Sequence, residues 1–319
     1  MTDDAQGEAG LIPARFAQRL KRTPDMTMND TQSRWMRWRP YLLVAPLVIV
    51  LFVFVVVPLG FVVAVSFFHY DNFAVIPAFR LENYQSVLSA HLTYNLYMTM
   101  IGFSLVTWFF TLIIGFTVAY FLVFHVRSQV IAIGLFLVCT VPFWTSNIIR
   151  MIAWLPLLGK QGLINSALMA TGVIHKPLGF LLFSDFSVIV SYVNLFTIFM
   201  IVPIFNSMSR IDRSLFEAAT DAGTSRWQTM LLVVVPLCKN GIALGSIFVI
   251  TLVMGDFYVV KVMSGGNAAS VVSAMYDDIS TLLFPHAAAN AVILMAFIVL
   301  LVSLILRVVD VRKELVSQR

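Results

Sequence analysis

Apolar residues in this chain run in long uninterrupted stretches, and short segments between them hold most of the charge. A helix needs about 20 such residues to cross about 30 Å of hydrocarbon. Six stretches qualify: about Tyr41–Phe68, Leu92–Phe124, Val130–Ile149, Phe186–Phe205, Leu231–Gly255 and Ala287–Leu306. A membrane β-barrel would instead show segments of about ten residues that alternate apolar and polar. The run at 47–57 contains only Leu, Val, Ile and Phe and does not alternate. The pattern predicts an all-α membrane protein with six transmembrane helices.

Composition supports this reading. Of the 319 residues, 60% are apolar and 12% charged, whereas soluble domains carry about 25% charged residues. Too little polar surface is left to cover a soluble globule. The two cysteines, Cys139 and Cys238, lie inside apolar stretches, which argues against a disulfide scaffold or a Cys-based metal site.

The net charge of +5 is informative through its placement, which marks membrane flanks and gives no nucleic-acid signature. With the N-terminus inside, sixteen of the 21 Lys and Arg fall on the cytoplasmic side. Only Arg80, Arg150, Lys160, Lys176 and Lys261 fall outside. The positive-inside rule therefore places both termini in the cytoplasm, as an even number of spans requires. Residues 1–40 read as a mostly disordered basic cytoplasmic tail. Its end, from Arg34 to Arg39, sets cations and two Trp beside the first span in the manner of an interface anchor. The first span starts too deep for a secretory signal and has no A-x-A site after it. A transmembrane body covers 41–310, and 311–319 is a second cytoplasmic tail.

Outside, the segment from Arg150 to Asp185 is broken by Gly159, Gly162, Gly172 and Pro177. It is either an amphipathic helix with Leu163, Ala167 and Leu168 at helical spacing, or a structured connection packed on the bundle.

The cytoplasmic loop between the fourth and fifth spans carries the most local information. Ser214 with Glu217, and Ser225 with Gln228, have capping-box spacing. Gly223 lies between them, where a helix end favours a left-handed residue. Two short helices with a bend at Gly223 follow. Ala218, Ala219 and Ala222 allow close approach of another protein, while Glu217, Asp221 and Arg226 offer charge pairing. This is the make-up of a docking element.

Glu217-Ala218-Ala219, then Gly223, then Pro236 match the EAA loop of binding-protein-dependent ABC importer permeases. Val233 and Val235 stand where that pattern has Ile and Leu. Segments 141–147, 194–203 and 255–266 resemble the permeases of spermidine/putrescine importers. The resemblance covers about 40–310 and implies the type I importer permease fold, with a coupling loop at 206–236. It also implies partners: a cytoplasmic ABC ATPase dimer that uses ATP and Mg, a second permease, homologous or identical, and a periplasmic or extracellular substrate-binding protein. The chain itself then serves as a translocation subunit without catalytic residues, cofactor or metal. Polyamine is the first substrate class implied; opines, aminophosphonates and ferric ion are handled by related permeases.

Nothing in the chain spells an ATPase. Gly159-Lys160 is followed by Gln161, not Ser or Thr, so no phosphate-binding loop is present. Neither H-E-x-x-H nor G-x-S-x-G occurs. A secondary transporter or channel would call for ionisable relays within the spans, and these are nearly lacking. Asp256 is the one good acidic candidate, at the outer end of the fifth span, with Tyr258 beside it for cation–π contact. A carboxylate in the headgroup zone is the alternative account of it. Trp144 and Asn147 are further candidates for the substrate path.

Overall fold

Helix dominates the described chain, which in this computed structural model comprises residues 30–71, 74–212 and 214–309. Descriptions of side chains exclude those at 30–40, 71, 74, 75, 129, 217, 220, 308 and 309. Residues 1–29 of the tail expected at 1–40, and the whole tail expected at 311–319, lie outside the described residues. Residues up to Leu59 and those from Gly60 onward form two compact units. In the first unit, α1 (Asp30–Leu51) begins well before the expected tail boundary at 40 and runs into a π-turn, Phe52–Val56. The helix α2 (Val57–Val65) continues it. Pro58 lacks an N–H, and its ring would press on the Phe54 carbonyl in a regular helix. A wider turn before it relieves that clash.

The second unit opens with a two-stranded hairpin, β1 (His69–Asp71) and β2 (Ala74–Ile76), pairing His69 with Ile76. The short α3 (Glu82–Ser89) follows. Asn83 of α3 donates to the Ser66 and Phe68 carbonyls at 2.9 and 2.8 Å, fastening α3 to the end of α2.

Three expected spans emerge as single long helices in this unit. They are α4 (His91–Tyr120), prolonged by a π-turn to His125, α8 (Asp185–Met208) and α15 (Phe284–Val309). With the run Tyr41–Val65, four helices among the described residues are long and apolar enough to cross a membrane. The third and fifth spans are bent. Val130–Trp144 meets Asn147–Ala170 at 89°, and Arg226–Leu237 meets Lys239–Met254 at 69°. In the third, α5 (Gln129–Thr140) passes into a 3₁₀ turn at Val141–Trp144 that contains Pro142. In the fifth, α10 (Arg226–Thr229) leads through a π-turn (Met230–Val234) to α11 (Val235–Leu237), and Pro236 precedes the break at Cys238. The straight remainder, α12 (Lys239–Met254), is only 16 residues long. Counting each bent pair as one span gives six.

The core joins α4, α8 and α12 around Met200, which is fully buried. A Cβ added at Gly115 of α4 would lie 2.8 Å from Met200 Cγ, and one at Gly245 of α12 would lie 2.6 Å from its Sδ. One turn earlier, a Cβ at Gly241 would meet the Pro203 carbonyl oxygen at 2.5 Å. Gly241 and Gly245 thus form a small-xxx-small face that lets two helix backbones meet closely, as membrane helices do without a hydrophobic driving force. Trp108 Nε1 donates to Ser246 Oγ at 2.7 Å, adding a polar tie between α4 and α12.

The connection over 150–185 is a folded pack on the bundle. It contains α6 (Asn147–Leu158) and α7 (Leu163–Ala170). Its hub is Asn165, fully buried, whose amide donates to the Gly159 and Leu178 carbonyls and accepts from the Leu178 N–H at 2.8 Å. Leu163 and Ala167 of α7 are exposed, while Ile164 packs on the core. Beyond α8 and α12, α13 (Tyr258–Met263) and α14 (Val271–Ser280) complete the chain before α15.

Candidate functional site

The loop between α8 and α12 folds as a bent pair of short helices. The first, α9, spans Ser214–Asp221. Ser214 is already helical there, so it does not cap the helix as its spacing suggests. Instead, Asp212 Oδ1 accepts from the Ser214 N–H at 3.0 Å. The Ser214 amide, then its hydroxyl, hold the Asp212 carboxyl below the usual carboxylate range. The Ser225 capping box forms as expected. Its N–H donates to Gln228 Oε1 at 2.8 Å, and the Gln228 N–H donates back to Ser225 Oγ at 3.3 Å.

Gly223 sits at φ +76° between the two helices. The Thr224 N–H reaches back to the Ala219 carbonyl at 3.1 Å, the six-to-one bond of a Schellman C-cap. The Thr224 hydroxyl adds a second donor to that carbonyl at 2.7 Å and lies 2.9 Å from Thr229 Oγ1. Thr224 therefore braces the bend from both sides, a role its position after Gly223 did not announce. Phe216 of α9 packs its ring 4.6 Å from that of Phe124, seating the loop against the end of α4.

Ala218, Asp221, Gly223 and Arg226 are exposed and Ala219 is half-buried. Together they form one outward surface around the bend, whereas the Glu217 side chain lies outside the described residues. Trp227, which sequence reasoning passed over, stands 70% exposed beside Arg226. An aromatic that open on a docking loop is available to a partner.

At the opposite end of the bundle, Asp256 follows α12. Its Oδ1 accepts from the Val259 N–H at 2.8 Å and from the Tyr192 hydroxyl at 3.3 Å. The carboxylate thus caps α13 and ties it to α8. Tyr258 is half-buried, and its ring meets Phe257 edge-on. Trp144 is 85% exposed in the 3₁₀ turn, and Asn147 Oδ1 accepts from Arg150 Nη2 at 2.5 Å. The four path candidates therefore occupy two places: Asp256 with Tyr258 after α12, and Trp144 with Asn147 at the bend of the third span. Among the described residues, no group of three His, Cys, Asp or Glu is placed to hold a metal ion.

Long apolar helices around a small-residue core, with a braced, solvent-facing helical bend between two of them, are the architecture of a membrane permease subunit. The family model for the binding-protein-dependent transport system inner membrane component matches residues 128–315, more than half of the chain. The chain belongs to this family and is a multi-pass inner membrane protein. It is 31% identical to the spermidine/putrescine transport system permease protein PotB of Escherichia coli K12, over 77% of this chain and 88% of that protein. To PotB of Haemophilus influenzae it is 33% identical, over 68% of this chain and 75% of the relative. Among solved structures, it is similar to a chain of a bacterial alginate ABC transporter complexed with an alginate pentasaccharide-bound periplasmic protein. There the TM-score is 0.66 at 12% identity, covering 86% of this chain and 94% of the other, a likeness of fold alone.

Proposed function

We propose that this ABC importer permease passes a polyamine such as putrescine or spermidine into the cytoplasm. The observation that carries the substrate class is the similarity to PotB over most of both chains. In this reading the chain crosses the membrane six times, each bent pair serving as one span, with both termini in the cytoplasm. The permease body is 41–310, flanked by cytoplasmic tails at 1–40 and 311–319.

The loop at 206–236 is the coupling element. Glu217, Ala218, Ala219, Asp221, Gly223 and Arg226 dock on a partner ATPase dimer, which uses ATP with Mg. A second permease, homologous or identical, completes the membrane pathway, and a periplasmic or extracellular binding protein delivers the solute. The support is geometric: the bend at Gly223 presents a small-residue surface, and Phe216 passes its displacement to the end of α4. Closure of the ATPase dimer then moves the bundle between outward- and inward-open states. At the outer end, Asp256 supplies negative charge with Tyr258 beside it, and Trp144 with Asn147 flank the entrance. Tyr192 and Val259 fix the Asp256 carboxylate in place.

The test is ATP hydrolysis by the reconstituted complex with its binding protein, with and without putrescine or spermidine. Stimulation by polyamine is the expected result. Hydrolysis that responds to the binding protein but ignores polyamines would overturn the substrate class.

A further inference from the structure

Two cavities lie in series between α8 and α12 and share Pro203, Asn206 and Leu244. The one farther from the loop, about 300 Å³, is walled by the rings of Phe143, Phe199 and Phe248. Phe143 meets Phe199 edge-on at 5.5 Å, and Phe199 lies 6.3 Å from Phe248. The other, about 580 Å³, opens beside the coupling loop and is mixed in character: Asn206, Asn240 and Asp212 line it together with Leu215, Leu237 and Leu244. Asn240 Oδ1 is buried there without a hydrogen-bond partner among the described residues. A buried amide oxygen left unpaired is costly unless something visits it. Pro203 inside α8 also deprives the Phe199 carbonyl of its usual helical donor. The groove therefore runs from aromatic faces to the Asn206 and Asn240 amides and ends at the Asp212 carboxylate.

We propose that this groove is the inward branch of the solute path, and that Asn240 is a solute-contacting residue within it. This rests on the importer reading above. Its chemistry suits an alkyl chain ending in ammonium groups. The ring faces take the chain and attract the cation, while the amide oxygens of Asn240 and Asn206 accept from the ammonium protons as it moves toward Asp212. Arg210 at the same mouth gives the exiting cation no place to settle, which favours release over retention.

The test compares Asn240→Asp with Asn240→Lys in the reconstituted complex, measuring putrescine uptake and binding-protein-stimulated ATP hydrolysis together. Lysine is also longer than asparagine, so assembly and hydrolysis report any structural damage: a purely structural residue loses them together with uptake, whereas a solute contact loses uptake alone. Uptake within about threefold of the parent is expected for Asp. A loss of about tenfold or more is expected for Lys, because the like charge repels the solute, with hydrolysis retained in each. Equal uptake by the two variants would overturn the proposal.

Should either variant fail to assemble, Asn206→Cys in a Cys139→Ser background decides the matter, since Asn206 is exposed and Cys238 is fully buried. A cationic thiol reagent applied from the cytoplasmic side is expected to label Asn206→Cys and to block uptake. Labelling without block, or no labelling with or without nucleotide, would overturn the groove as path. If the parent complex takes up no polyamine yet Asn206→Cys is labelled and hydrolysis becomes insensitive to the binding protein, the substrate reading falls and the groove stands.

Discussion

Replacing Gly223 by alanine isolates one property of the proposed coupling loop, its left-handed bend. The glycine sits at φ +76°, and a Cβ built on it meets nothing within 4 Å. Crowding therefore contributes nothing, and the cost is that of holding an L-residue in this backbone region, about 1–2 kcal/mol. At 1.4 kcal/mol per factor of ten, the bent loop loses about 5- to 30-fold against its alternatives. The Thr224 bonds and the Ser225 capping box oppose this loss but do not change the backbone angle. Asparagine visits this region more readily, and valine, branched at Cβ, suffers most. Expected uptake thus falls in the order Gly, Asn, Ala, Val, with similar membrane abundance for all four. The assay is solute uptake by proteoliposomes, alongside recovery of the partner ATPase with the purified permease. Valine transporting as well as asparagine would refute the reasoning. So would alanine and asparagine failing equally, since that would make side-chain volume at the interface, not the backbone, decisive.

Gly241→Ala drives a methyl against the Pro203 carbonyl at 2.5 Å, and α8 and α12 must part. Overpacking of this kind costs about 1–3 kcal/mol, to be read as a lower unfolding temperature of the purified complex. Thr224→Val removes the second donor to the Ala219 carbonyl and the contact with Thr229. A loss of about 0.5–1.5 kcal/mol from the loop should reduce uptake severalfold while leaving that unfolding temperature unchanged. Asp256→Asn keeps an oxygen that can accept from Val259 and Tyr192 but deletes the charge. Uptake about tenfold lower in an intact complex is expected, and undiminished uptake would leave Asp256 a helix cap only.

Sequence pattern and structure agree best where a single physical rule dominates. Length and uninterrupted apolarity gave α4 with its π-turn, α8 and α15 to within three residues at each end. The same rule failed for the third and fifth spans, because hydropathy does not register a missing N–H. Pro142 and Pro236 sit inside equally apolar runs, yet the helix bends at or soon after each. In the loop, the Ser225 box and the Gly223 bend were legible from spacing. Asp212 was not, since a carboxylate two residues ahead of Ser214 mimics any other polar loop residue. The small-xxx-small face at Gly241 and Gly245 was present as a spacing and went unread. Asn165 and Asn240 were invisible for another reason. In sequence each shows only as a polar residue in or near a helix, whether it becomes the hub of a connection, as Asn165 does with Gly159 and Leu178, or keeps an unpaired buried oxygen, as Asn240 does.

The Gly241 crossing has a mechanical consequence. Gly241 meets Pro203 and Ser207 at the very place where α8 ends and α12 begins, so both ends of the intervening loop are rooted in one stiff block. A push on the bend at Gly223 cannot be absorbed by spreading its two feet. It must turn the block as a whole, and the three helices clasped around Met200 rotate together. The loop behaves as a crank handle set in a solid shaft, which converts a short stroke at one face into torque at the other.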